Sequence, residues 1–263
     1  MSRVIAIYNQ KGGVAKTTTC VNLAAYLALA GKKVLLVDFD PQANASSSLG
    51  FTPDLNSESV YHGLFNAASA QNLIKPTSLF NYHLIPSSQH LAGALVELVN
   101  AENREFYLKN FINQIRDQYD YVLIDLPPSL SLLTINGLVA ADEVIIPVQA
   151  QYLSLEGLNQ MLEVVDMIHN NISDRLKVSG ALLTMYHTKD NGGSEQVADE
   201  ILKKLGENFS HHIFQTRIPW SFPLAEAPGF GRPAALYNPM SEGAKAYEEL
   251  AREIIAQEKQ INP

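Results

Sequence analysis

The chain has 263 residues, 46% hydrophobic and 17% charged, a composition that fits a folded globular protein and excludes a disordered one. Its formal net charge of -8 makes it a poor global attractor for nucleic acid, so any contact with DNA has to come from a local basic patch. The single cysteine, Cys20, excludes a disulfide framework and a cysteine-held cluster within one chain, and no apolar run reaches the roughly 18 residues that crossing a bilayer requires.

Val4 to Tyr8 is a short apolar, β-branched run and reads as a buried strand. The chain opens directly into it, with no signal-peptide pattern, so a cytoplasmic location is the expectation. Residues Gln10 to Thr19 are rich in Gly, Lys and Thr; from Cys20 to Ala30 apolar residues follow at helical spacing, closed by Gly31. Strand, glycine-rich loop, helix is the context that phosphate binding needs. Gly12 and Gly13 let successive backbone N–H groups, on through Val14 and Ala15, point into one concavity. The helix start at Lys16, Thr17 and Thr18 adds unpaired N–H groups and the positive end of its dipole. Lys16 can reach the β- and γ-phosphates of a nucleotide, and the Thr17 hydroxyl suits Mg2+, a hard cation that prefers oxygen. The strict pattern G-x-x-x-x-G-K-[ST] fails at its two outer glycines, where Gln10 and Ala15 stand. Alanine at 15 is expected to take a negative φ and to perturb the loop little.

Lys33 to Asp40 is a second buried strand ending in acids, broken by Pro41. With the first strand and helix it makes a right-handed βαβ unit. Alternation puts Asp38 and Asp40 on one side, about 7 Å apart, aimed toward the glycine loop. Residues 45–60 are Ser-rich and read as a loop, with short helices near 58–66 and 68–74. Tyr82 to Pro86 is a short strand, and 91–99 and 105–118 have helical spacing. Tyr121 to Ile124 is a third apolar run, and Asp125 ends it, a strand-end carboxylate placed to hold Mg2+ through water. A helix is expected over 132–140, a strand over 143–148, an amphipathic helix over 155–168 and a strand over 177–185. Another helix is expected over 194–205 and a last strand over 213–218. Pro219 to Pro239 carries five prolines and reads as an extended, stiff loop before a final helix over 241–255. There is no internal repeat. The whole of 1–263 reads as a single α/β domain, doubly wound, with a mainly parallel sheet flanked by helices.

Several segments resemble one family. K-G-G-x-x-K-T with its early Lys11 is similar to the deviant Walker A loop of the ParA/MinD family of P-loop NTPases. Asp38-Phe39-Asp40-Pro41-Gln42 resembles the D-x-D-P-Q segment of ParA-type ATPases. Leu126-Pro127-Pro128-Ser129-Leu130, Pro147-Val148-Gln149, and the run from Ile218-Pro219 through Glu226-Ala227-Pro228, Pro233, Tyr237, Pro239, Ser241 and Gly243-Ala244 resemble chromosomal ParA (Soj) proteins over nearly the whole chain. The resemblance implies an ATPase using ATP and Mg2+, slow without a partner. Lys11, Lys16 and Asp40 serve catalysis, Asp40 by positioning the attacking water. Lys11, Gly12, Gly13, Val14, Ala15, Lys16, Thr17, Thr18, Pro219 and Ser221 contact nucleotide, with Pro219 and Ser221 edging the adenine; Thr17, Asp40 and Asp125 serve the metal. It also implies an ATP-dependent homodimer in which Lys11 reaches the partner's nucleotide, a ParB-like activator, and switched binding to non-specific nucleoid DNA.

Two departures bear on the DNA. Trp220 and Pro223 stand where relatives usually carry arginines, leaving Lys189, Lys203, Lys204, Arg217 and Arg232 as the candidate basic surface. The last helix is acidic, unlike the basic membrane anchor of the MinD branch, so no membrane partner is expected. The alternatives are a ParA-like protein that positions a non-DNA cargo and a P-loop nucleotide switch or redox protein similar to the nitrogenase iron protein. The lack of cluster cysteines speaks against the last.

Overall fold

The structure is a computed structural model and describes residues 2–52, 57–150, 156–187 and 195–261. In chain order the elements are β1 (Arg3–Ile7), α1 (Lys16–Leu29), β2 (Val34–Asp38), α2 (Asn44–Ser48), α3 (Val60–Leu64), α4 (Ala70–Leu73), β3 (Lys75–Pro76), β4 (Tyr82–Ile85), α5 (Leu91–Leu98) and α6 (Tyr107–Asn113). They continue with β5 (Tyr121–Asp125), α7 (Leu132–Ala140), β6 (Glu143–Gln149), α8 (Glu156–Asn171), β7 (Lys177–Tyr186), α9 (Glu195–Asn208), β8 (Ile218–Pro219), α10 (Phe222–Glu226), α11 (Ala234–Tyr237) and α12 (Glu242–Ile261).

The strands form one eight-stranded sheet in the order β3-β4-β2-β5-β1-β6-β7-β8. Every pairing is parallel except β3 with β4. Parallel strands need covered faces, and β1 shows why its sequence is apolar without a break. Val4, Ala6 and Tyr8 pack into the layer built from α5, α6, α7 and α8. Ile5 and Ile7 pack into the opposite layer, against α1 and α12. β1 lies between β5 and β6, with Ile7 level with Asp125 and Ile145. The carboxyl ends of β1, β2 and β5 therefore open at one place, where ligands bind in such sheets.

Four expectations need correction. The loop expected over 45–60 contains a helical turn, α2, because the buried Asp38 carboxylate accepts from Ser46 N and Ser46 Oγ, both at 2.7 Å. The helix expected over 105–118 is shorter: α6 ends at Asn113, and a separate 3-10 turn covers Arg116–Gln118. The strand expected over 213–218 reduces to an isolated bridge at Ile213 and the two residues of β8, because the amides between them bond to a side chain. The stretch 219–239 is coiled into α10, a 3-10 turn (Ala227–Phe230) and α11. Pro223, Pro228 and Pro233 each sit at the start of one of these turns, where a missing N–H and a fixed φ cost nothing. Gly231, at φ +63, lets this segment press on Gly50, whose Cα would lie 2.8 Å from any added Cβ. The short antiparallel β3 was not expected at all. Leu155 and Ser194, the predicted first residues of two helices, lie outside the described residues. Among the described residues no helix is long and apolar enough to cross a membrane.

Candidate functional site

A cleft of about 390 Å3 opens at the carboxyl end of the sheet. Gly12, Gly13, Ala15, Lys16, Thr17 and Thr18 form its floor; Asp40 and Asn44 form one side. Its opposite wall is Met185, Ile218, Pro219, Trp220, Ser221 and Leu224, with Tyr247 reaching in from α12.

The loop from Asn9 to Ala15 is held by its own Asn9 side chain and by one side chain of β7. Asn9 Nδ2 donates to Pro147 O at 2.7 Å, and Asn9 Oδ1 accepts from Lys11 N at 2.9 Å. Thr184 Oγ1 on β7 donates to Val14 O at 3.1 Å. Val14 itself is buried and does not line the cleft, so of the residues expected to touch nucleotide it can contribute only backbone. Gly13 takes φ +72, as a concave loop requires.

Ala15 contradicts its expectation. It is the N-cap of α1 with φ 65 and ψ 32, in the left-handed region, not at negative φ. Turning the loop into the helix demands this conformation, which glycine adopts freely and alanine resists by about 1–2 kcal/mol. Replacing Ala15 with glycine relieves that strain against about 0.5 kcal/mol of added unfolded-chain freedom. The expected result is a Tm about 1–3 °C higher by calorimetry; a lower Tm would show that contacts of the methyl group outweigh the strain.

Lys16 is buried, and its Nζ donates to Lys11 O at 2.9 Å. Burial lowers its pKa, while Asp125 and Asp40 act in the opposite direction. Lys11 is exposed and its side chain is not part of the wall of its own cleft. The three acids divide their work. Asp38 is consumed by Ser46 and by Asp40 N, so it holds structure. Asp40 follows β2 at the rim, where one oxygen accepts from Gln42 N at 2.9 Å. Asp125 lies fully buried under the floor, beside Thr17, and Cys20 Sγ donates weakly to its Oδ1 at 3.5 Å. Burial first, and Asp38 second, push its carboxyl well above the usual range. Its Oδ2 has no partner among the described residues. A cation near Thr17 would compensate both. Among the described residues no three His, Cys, Asp or Glu side chains close into a cage. Mg2+, which keeps waters and rides on phosphate oxygens, does not need one.

The site also contains residues that sequence reasoning gave no role: Asn44, Met185, Leu224 and Tyr247. Tyr247 is fully buried, and its hydroxyl lies 3.0 Å from Thr19 Oγ1 on α1. Met185 is held at φ 55, a strained conformation in a strand and a local signal that only coordinates reveal.

The proposed basic surface is less free than its charges suggest. Arg217 is ion-paired with Asp199 at 3.0 Å. Lys203 follows Asp199 by one turn on α9, next to Lys204. Arg232 belongs to the separate turn that packs near Gly50. Lys189 lies outside the described residues.

Comparison with known proteins adds four findings. A family model described as an AAA domain matches residues 2–178. The chain is 45% identical to the chromosome-partitioning ATPase Soj of Treponema pallidum over 99% of its own length and 100% of that protein's. It is 46% identical to the sporulation initiation inhibitor protein Soj of Bacillus subtilis, covering 97% and 99% of the two chains. Among solved structures, cobyrinic acid a,c-diamide synthase of Mycobacterium smegmatis, with bound ATP analogue and magnesium, superposes with a TM-score of 0.86 at 33% identity, covering 98% of this chain and 96% of that one.

Proposed function

The chain belongs to the family of Soj- and ParA-type chromosome-partitioning ATPases, and from that premise we propose that it is an ATP-driven dimer switch that moves or positions DNA. The whole of 1–263 acts as one P-loop ATPase domain. ATP lies in the cleft above α1, its phosphates on the N–H groups of Gly12 to Thr18 and its adenine along Pro219 and Ser221. Thr17, with Asp125 and Asp40 behind it, would hold Mg2+, which when bound would neutralise charge on the transferring phosphoryl group. Lys16 leaves Lys11 O for the phosphates, exchanging one neutral acceptor for several charged oxygens. Asp40 orients the attacking water at the rim. Phosphoryl transfer asks little else of a protein than such positioning.

The observation that carries the dimer is Lys11. It is a second loop lysine, exposed and outside its own cleft wall. Two nucleotides facing each other across a dimer repel strongly, and a lysine crossing to the partner's phosphates offsets that repulsion. Dimerisation thereby depends on ATP. In this reading the dimer binds non-specific DNA at the nucleoid, in the cytoplasm, through Lys203, Lys204, Arg217, Arg232 and Lys189. A ParB-type activator then stimulates hydrolysis and releases it. With Mg2+ and ATP, the expected result is a doubled mass by light scattering for the unaltered chain. Lys11→Ala should stay monomeric while binding ATP within about threefold; a doubled mass in that variant would end the idea.

A second reading, in which the cargo is not DNA, draws on the Arg217–Asp199 pair and on Trp220 and Pro223, uncharged residues beside the cleft. DNA retention with ATP and with ADP over a salt series separates the two. ATP-dependent retention that fades with salt supports DNA, and none at low salt supports the other cargo.

A further inference from the structure

The wall opposite the phosphate loop is built on a break in the sheet. Ala181 of β7 bonds both ways across its bridge, receiving from Phe214 N at 3.0 Å and donating to His212 O at 2.9 Å. Pairing resumes only at Thr184 and Ile218. Between them the amides of Gln215 and Thr216 have no strand to join. Glu253, on α12, takes both. Gln215 N donates to Oε1 at 2.8 Å, Thr216 N to Oε2 at 3.0 Å and Thr216 Oγ1 to Oε2 at 2.8 Å. His212 Nε2 stands 3.5 Å from Oε1. The carboxylate is largely shielded, with 18% of its side chain exposed.

Two residues beyond Thr216 the chain becomes Ile218, Pro219, Trp220 and Ser221, the cleft wall. Trp220 N then donates to Tyr186 O at 2.8 Å. The wall is thus paired to β7 along Ile218 and Pro219, and the segment that leads into it is pinned by one side chain of α12. The same helix carries Tyr247, bonded to Thr19 on the helix behind the phosphate loop. α12 therefore fixes both halves of the cleft relative to each other.

We propose that Glu253 is a positioning residue that sets the nucleoside side of the cleft, acting through Thr216 and touching no ligand. This rests on the nucleotide reading above. The phosphate loop is held by bonds that do not involve Glu253, from Asn9 and from the Thr184 side chain. Loss of Glu253 should therefore weaken a ligand that has a nucleoside and spare one that has phosphates alone. A merely structural role would weaken both.

The test compares Mg2+-ATP with inorganic triphosphate by calorimetric titration of the full chain. The unaltered protein binds both; failure to bind ATP would overturn the nucleotide reading itself. In Glu253→Ala the Kd for ATP rises about fivefold, the loss of one net charged hydrogen-bond anchor, and the Kd for triphosphate changes by less than about twofold. Glu253→Gln, which keeps one acceptor oxygen, falls between the two. Equal weakening of both ligands, or unchanged ATP affinity in a folded Glu253→Ala, overturns the proposal. If the alanine variant does not fold, Glu253→Gln and Thr216→Val carry the same comparison. Unchanged ATP affinity in both then overturns it.

Discussion

Asp40→Asn is expected to lower ATP turnover by about 100-fold or more, the usual weight of a group that positions or activates an attacking nucleophile. The substitution is chosen for what it keeps. Asparagine is isosteric and still offers an acceptor to Gln42 N, so the turn after β2 retains its 2.9 Å bond. What it loses is the charge that, in the proposed function, orients water at the rim of the cleft. Asp38, two residues earlier at the end of β2 and fully buried among Ser46 N, Ser46 Oγ and Asp40 N, is in no position to replace it. ATP binding should change by less than about threefold, because the phosphate cradle is the floor built from Gly12 to Thr18, to which Asp40 contributes no backbone N–H. In the dimer-switch reading this variant accumulates as the ATP-bound dimer. Phosphate release and light scattering on one sample check both halves. Turnover within about threefold of the unaltered protein would remove Asp40 from the chemistry.

Lys16→Ala should fail one step earlier, at binding. Lys16 is a buried cation on the cleft floor, already desolvated, with Asp125 and Asp40 holding its charge against the effect of burial. A charge of that kind acts on phosphate oxygens at close range, where about 4 kcal/mol of attraction per charge pair is typical at an intermediate dielectric. Part of that is spent on displacing Lys11 O. The expected outcome is an ATP Kd raised by about 100-fold or more, with turnover below detection. It is measured by titration with ATP and Mg2+. Affinity within about tenfold of the unaltered chain would mean that the backbone N–H groups carry the phosphates without it. The two variants separate cleanly, since Asp40→Asn loses turnover with ATP bound and Lys16→Ala loses the bound ATP.

Much of this site was legible in the sequence because its signals are local. Four apolar residues before Asp125, a glycine pair before Lys16 and Thr17, and helical spacing after them specify a strand end and a loop-to-helix turn over a few residues each. The helical run that begins at Cys20 is equally local, whereas the contact of Cys20 with Asp125, across 105 positions, is not. Neither the role of Asp38 nor that of Asp40 could be assigned from their spacing, which is the same for both. The difference arises from Ser46, brought under Asp38 by a helical turn that a run of serines does not announce.

The sequence by itself determined the strand–loop–helix, the parallel sheet around it, and which lysines and acids gather at one end, because apolar runs and glycines dictate backbone locally. Only the tertiary structure decided the rest. Ala15 takes a left-handed φ where the loop turns into α1, against the preference of the residue. The strand expected over 213–218 stops because Glu253, 37 positions beyond Thr216, captures amides that would have joined a ladder. The far wall of the cleft is assembled from Met185, Trp220 and Tyr247, on three segments that meet only when α12 packs against α1. Interactions between segments so distant leave no periodicity to read, since each residue's own neighbourhood in sequence is satisfied by several conformations and the choice is made by what packs on it.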